Sequence, residues 1–175
     1  MGYKLIIFID VKKAKEVKQN AILTQTEYFA KVCDGLQKKF YEQQLQDFHE
    51  VKCVKLSDIF TNDEVRTIKM AVKPKKKECY RNAHLLTALF PDRVQYVEGQ
   101  VAIFNGAFGV EHAWNKVDDK YVDLTFELAL GEDPAKELYM ALGEYNLNTI
   151  TMVTSETGYY GSIYNQRFIN ANKNK

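Results

Sequence analysis

An α+β domain, with a helix that opens on a cysteine packed against an antiparallel sheet, is the fold class this sequence predicts. Three observations predict it. Ala83, Leu86 and Leu89/Phe90 follow Cys79 at three- and four-residue steps, which stacks them on one helical face. From Val94 the period changes: strand-like runs cover 94–97, 101–104, 108–114 and 120–126. Asn105-Gly106 and Val117-Asp118-Asp119-Lys120 separate the later runs as turns. With 175 residues, 46% of them hydrophobic and 13% aromatic, one domain over 1–175 is long enough to bury a core. It divides into an N-terminal strand and helices (1–72), a central part (73–130) and a C-terminal helix, strand and tail (131–175).

Taken in order, the β-rich run Tyr3 to Val11 reads as a strand and Lys12 to Gln19 as a charged stretch. Thr24 and Glu27 have the spacing of a capping box. The helix it predicts runs to about His49, with Phe29, Val32, Leu36, Phe40 and Leu45/Phe48 on its buried face. Cys33, beside that stripe, reads as a core thiol, and His49 as a cationic helix end. Val51 to Leu56 alternates as a strand with Cys53 on one face. Thr61 and Glu64 repeat the capping box and open a short helix to about Val72, which Pro74 stops. After the Cys79 helix, Phe90-Pro91-Asp92 is a turn, and Gly99 breaks or bulges the strand that follows. Asp133-Pro134 predicts a helix ending near Gly143. Asn148 to Thr154 reads as a strand. Tyr159, Tyr160, Tyr164 and Phe168 lie in a tail that ends in a polar, fraying stretch.

The chemistry concentrates in two short runs, Glu78-Cys79-Tyr80-Arg81-Asn82-Ala83 and Glu111-His112-Ala113-Trp114, with Val122-Asp123-Leu124-Thr125 beyond the turn. A cysteine, a histidine and an aspartate supply a nucleophile, a base and a group that orients the base. Asp123 follows His112 by eleven residues across a hairpin, so their side chains can face one another. An isolated cysteine is more often a buried thiol, and it is the His-Ala-Trp context that favours a catalytic-type position. His84, five residues along the same helix, points elsewhere. Trp114 reads as packing that shelters the His–Asp contact; Glu98 and Glu111 read as exposed. Tyr80 and Asn82 are candidates for polar contacts near the thiol. Lys73, Lys75, Lys76 and Lys77 form either a solvated loop or a positive field that, with the helix N-terminus, favours a thiolate.

These residues resemble the core of the transglutaminase-like superfamily, within the papain-like group of cysteine enzymes. The family pattern has a cysteine opening a helix, an alanine four residues on and spaced leucines. A strand ending in glycine follows, then His-Ala-Trp and a hydrophobic-Asp-Pro-Thr run. Here those positions are Cys79, Ala83, Leu86 and Leu89, then Val97-Glu98-Gly99, His112-Ala113-Trp114 and Val122-Asp123-Leu124-Thr125. The likeness covers about residues 77–126. The chain departs at two places: Lys77 stands where the family usually has glycine, and Leu124 stands where it has proline.

The resemblance implies a papain-like fold and a catalytic trio of Cys79, His112 and Asp123. The expected activity is acyl transfer on a protein or peptide amide through a Cys79 thioester, resolved by water as hydrolysis or deamidation or by an amine as transamidation. Such a scheme calls for no metal or organic cofactor. The alternative is a catalytically silent fold that binds a protein partner. A net charge of +1 gives no general attraction to nucleic acid or membrane. Three cysteines without metal-ligand spacing fit reduced thiols and a cytoplasmic protein. The run Leu5–Ile9 is too short to span a membrane. Ile6 stands where a myristoylation signal wants Ser or Thr.

Overall fold

The computed structural model describes the backbone of residues 14–173 and the side chains of 21–173. The strand expected over Tyr3 to Val11 lies outside them. The chain is mixed α and β, with a curled, mainly antiparallel sheet. Helices α1 (Ala14–Val32) and α2 (Gly35–Asp47) lead into strands β1 (His49–Val51) and β2 (Cys53–Val54). A 3-10 turn, Leu56–Asp58, and α3 (Asn62–Val72) precede α4 (Cys79–Leu89). Strands β3 (Val94–Ile103), β4 (Phe108–Val117) and β5 (Lys120–Val122) follow. A π-helical turn (Thr125–Leu130), a 3-10 turn (Pro134–Lys136), β6 (Leu138–Tyr145), α5 (Leu147–Thr157) and α6 (Ile163–Asn172) complete it.

Several sequence expectations are corrected. Thr24 does not start a helix, because α1 is already under way at Ala14 and nothing between the two breaks it. The single helix expected to about His49 is two, divided at Cys33-Asp34; Gly35 takes φ +57, which favours glycine. Cys33, in that break, is partly exposed and not a core thiol. His49 begins β1 and closes no helix. The helix expected after Asp133-Pro134 stops after three residues, and Leu138–Tyr145 forms a strand between β1 and β3. The strand expected over Asn148 to Thr154 is helix α5. Its β-branched residues are overridden by an Asn146 cap on the Thr149 N–H and a left-handed Gly158 at the far end. The tail is ordered as α6, with Ser162 capping the Asn165 N–H.

Other elements follow their local chemistry. In α3 the Thr61 hydroxyl accepts from the Glu64 N–H while Glu64 accepts from the Thr61 N–H, the reciprocal pair its sequence predicts. Phe104, Asn105 and Gly106 all take positive φ and turn β3 into β4. The sheet order is β1-β6-β3-β4-β5-β2, antiparallel except where β2 joins β5.

Register decides what faces what. Val97 opposes Trp114, Gly99 opposes His112 and Ala141, and Val101 opposes Val110 and Tyr139, so these side chains share a face. That face carries a buried cluster of Val51, Cys53, Val97, Val101, Trp114, Phe126, Tyr139 and Ala141. On the other face, α4 lies against Tyr96 and Ala113 through Ala83. There Asn115 Nδ2 donates to the Ala83 carbonyl at 2.9 Å and to Thr87 Oγ1 at 3.0 Å, which fixes where the helix sits. Leu86, fully buried among Ile68, Val72, Val94 and Val117, anchors the helix further on. Burying such a side chain is worth about 1.5–3 kcal/mol.

Candidate active site

β5 is short. It pairs with β4 only at 115–117, so among the described residues no strand lies on that side of the part of β4 that precedes Asn115. Asp123 comes directly after the last β5 residue, not on a strand across a hairpin as expected, and turns into the π-helical segment. The turn is held by Asp123 itself, whose Oδ1 accepts from the Thr125 N–H at 2.8 Å and the Phe126 N–H at 3.1 Å. Its Oδ2 faces His112 Nε2 at 2.6 Å, inside the sheet edge. Both residues are buried, Asp123 completely.

The histidine sits in an aromatic box. Phe126 meets it edge-on, with centroids 5.4 Å apart, and Trp114 lies nearly parallel at 6.1 Å. Trp114 is buried beside the His–Asp contact, the sheltering place its sequence context suggests. Burial disfavours a charge on the ring, but the Asp123 carboxylate outweighs it, with help from the Cys79 thiol. The net effect pushes the His112 pKa up to about 10. The thiol contributes by both hydrogen bonding and charge, so it lies beside the ring. Nε2 is given to Asp123, which leaves Nδ1 outside that contact.

Cys79 is the first residue of α4, and Glu78 before it makes no side-chain cap. The leading N–H groups of a helix have no intrahelical acceptor and form a natural anion site. The path into this helix is held by Asn82, whose Nδ2 donates to the Lys75 carbonyl and to Thr125 Oγ1, while its Oδ1 accepts from the Lys75 N–H. Asn82 therefore ties the lysine loop and the turn after Asp123 to the first turn of α4. Lys77, two residues before Cys79, takes φ +63. The backbone keeps a left-handed step at that position although the side chain disfavours it.

The other candidates separate. His84 rests against Tyr160 and Thr154, and its burial lowers its pKa. Glu111 is exposed, and the Tyr80 hydroxyl donates to it at 3.4 Å. Glu98, expected to be exposed, is buried. Its carboxylate accepts from Tyr96 Oη, Ser162 Oγ and the N–H groups of Ile163 and Tyr164, at 2.6–2.9 Å. The non-local packing of α6 over β3 turns an ordinary strand position into a helix cap. Burial still raises the Glu98 pKa above the usual carboxylate range.

Two groups at the site carry no sequence motif. Tyr139 donates to Asp123 Oδ2 at 3.1 Å from β6. Cys53, buried in the same cluster, is pushed by desolvation and by Asp123 toward the neutral thiol. All three cysteines are free. Among the described residues, no group of three or more His, Cys, Asp and Glu is disposed to hold a metal ion, and no helix is long and apolar enough to cross a membrane. Comparison with protein-family models, curated proteins and solved structures gives no match to this chain.

Proposed function

We propose that this chain is a transglutaminase-like thiol enzyme that transfers acyl groups from a protein or peptide amide. The observation that carries the reading is the buried 2.6 Å contact of His112 with Asp123, with the Cys79 thiol beside the same ring. His112 Nδ1 takes the proton from Cys79 Sγ, giving a thiolate and an imidazolium stabilised by Asp123. The thiolate attacks the amide carbon, and the C=O π electrons move onto oxygen. That oxyanion meets the backbone N–H of Cys79 at the helix N-terminus. As the C–N bond breaks, His112 returns the proton to the departing nitrogen, leaving a Cys79 thioester. Water or an amine then attacks the thioester, His112 takes the proton of that nucleophile, and the leaving thiolate regains a proton from the imidazolium.

The test is selective alkylation. Iodoacetamide in limited amount at about pH 6, where an ordinary thiol is almost wholly protonated, should label Cys79 before Cys33 or Cys53. His112→Ala should slow that labelling at least about tenfold, and Asp123→Asn should slow it less. A glutamine-containing peptide with hydroxylamine should yield a hydroxamate in the wild type and none in Cys79→Ala. Equal labelling of Cys33 and Cys79, unaffected by His112→Ala, would leave a silent fold that binds a partner.

A further inference from the structure

The ground around the N-terminus of α4 is basic although the whole chain carries only +1. A cavity of about 430 Å3 opens there, lined by Lys75, Lys77, Glu78, Tyr80, Arg81 and Tyr160. Cys79 lies between two of these residues in the chain. The one carboxylate in the lining, Glu78, is engaged by Lys75 at 3.6 Å and by Arg81 at 3.6 Å. Three cations thus share a single acid; Arg81 also donates to the Val72 carbonyl at 3.3 Å, while Lys75 and Lys77 are exposed. Across Lys75 a second cavity, about 570 Å3, is lined in part by Lys69 and Lys73. Its acid, Glu127, is committed to the Leu56 N–H at 2.8 Å.

We propose that these two cavities form the substrate-selecting subsite of the enzyme and that it takes acidic peptides. The acyl donor carries Asp or Glu beside the amide that reacts. Its carboxylates meet Lys75, Lys77 and Arg81, and its chain lies along Tyr80 and Tyr160. Two cavities on either side of one lysine suit an extended strand of a few residues, and a volume near 430 Å3 admits side chains but not a nucleic-acid helix. The proposal rests on the thiol-enzyme reading. Concentrated positive charge in a cleft raises the local concentration of an anionic substrate and falls away with salt.

Three short peptides with the same chloroacetamide-bearing residue test it, preceded by Asp-Glu, by the near-isosteric Asn-Gln, or by Lys-Lys. Each rate of Cys79 alkylation is read by mass spectrometry and divided by the rate of the same protein with iodoacetamide. The acidic peptide should react about tenfold faster than its Asn-Gln counterpart, and most of that preference should vanish in Lys75→Gln/Lys77→Gln and in about 0.5 M salt. A ratio near one, or a preference that survives the double substitution, overturns the proposal. So does tight binding of a single-stranded DNA that the same substitutions abolish, which would make the patch a nucleic-acid site. Chloroacetamide alkylates any accessible thiol. The charge preference therefore remains readable if His112 proves irrelevant to reactivity, and the two ideas fail separately.

Discussion

His112 and Tyr139 meet on one oxygen: the imidazole Nε2 lies 2.6 Å from Asp123 Oδ2, and the Tyr139 hydroxyl donates to the same atom at 3.1 Å. With Thr125 and Phe126 on the other oxygen, the carboxylate is held from four directions and cannot rotate away from the ring. Tyr139 thus holds Asp123 in place, and its ring lies 6.4 Å from that of His112, centroid to centroid. Tyr139→Phe removes one donor to a buried charge, which should lower stability by about 1.5–3 kcal/mol in urea unfolding. Alkylation of Cys79 should slow by less than it does in Asp123→Asn. A larger effect than that of Asp123→Asn would assign Tyr139 a direct role at the thiol.

The raised His112 pKa also sets a pH dependence. An imidazole in an unfolded chain loses its proton near pH 6.5, whereas the folded one holds it to about pH 10. The native state binds that proton more tightly, so the contribution is fully present below about pH 6.5 and is lost as pH rises toward 10. Urea midpoints measured from pH 6 to 10 should therefore fall more steeply in the wild type than in His112→Gln. In Asp123→Asn the largest raising cause is gone, so the alkaline loss of stability should begin at lower pH than in the wild type. A wild type and a His112→Gln variant with parallel stability profiles would show that the imidazole is not held charged.

What is legible in the sequence is what is locally encoded. Cys79, His112 and Asp123 each stand in a short motif, and the switch from helical to strand-like spacing near Val94 is a property of neighbours. The same capping-box pattern succeeds at Thr61 and fails at Thr24, because only Thr61 is preceded by residues outside a helix. The apolar run of β6 reads equally as helix or strand until β1 and β3 are known to flank it. Glu98 and Tyr139 escape sequence reading altogether. Their roles come from α6 packing over β3 at Glu98 and from β6 bringing Tyr139 to Asp123.

Gly99 opposes His112 in the sheet and lies at the irregularity between β3 and β6. A methyl group there would collide with the Met140 carbonyl and come within 2.8 Å of both Ala141 Cα and the Trp114 ring. Two of those obstacles are backbone, which does not yield easily. Gly99→Ala should therefore cost about 3 kcal/mol or more in urea unfolding. A variant as stable as the wild type would mean that β3 and β6 are less tightly paired here.

Glu98→Ala strips the acceptor from four donors around the start of α6. The loss should be about 2–4 kcal/mol, because two backbone N–H groups and two hydroxyls are left unmatched in a buried setting. Glu98→Gln keeps one acceptor oxygen and should lose about half as much. If Ala and Gln cost the same, the carboxylate serves as a space-filler and not as a cap.

Lys77 provides the opposite case, a substitution that should strengthen the fold. Its φ of +63 places a β-carbon where it crowds the backbone, at the step that delivers Cys79 to the first turn of α4. Left-handed backbone costs an L-residue about 1–2 kcal/mol, and glycine escapes that penalty at the expense of more freedom in the unfolded chain. Lys77→Gly should therefore raise stability by about 1 kcal/mol, read as a higher thermal midpoint. Lys77→Ala, which removes the charge but keeps the β-carbon, should gain nothing. That pair separates backbone strain from the repulsion among Lys75, Lys77 and Arg81. If the alanine variant gains as much as the glycine one, the relief comes from charge, and the left-handed step carries no measurable cost.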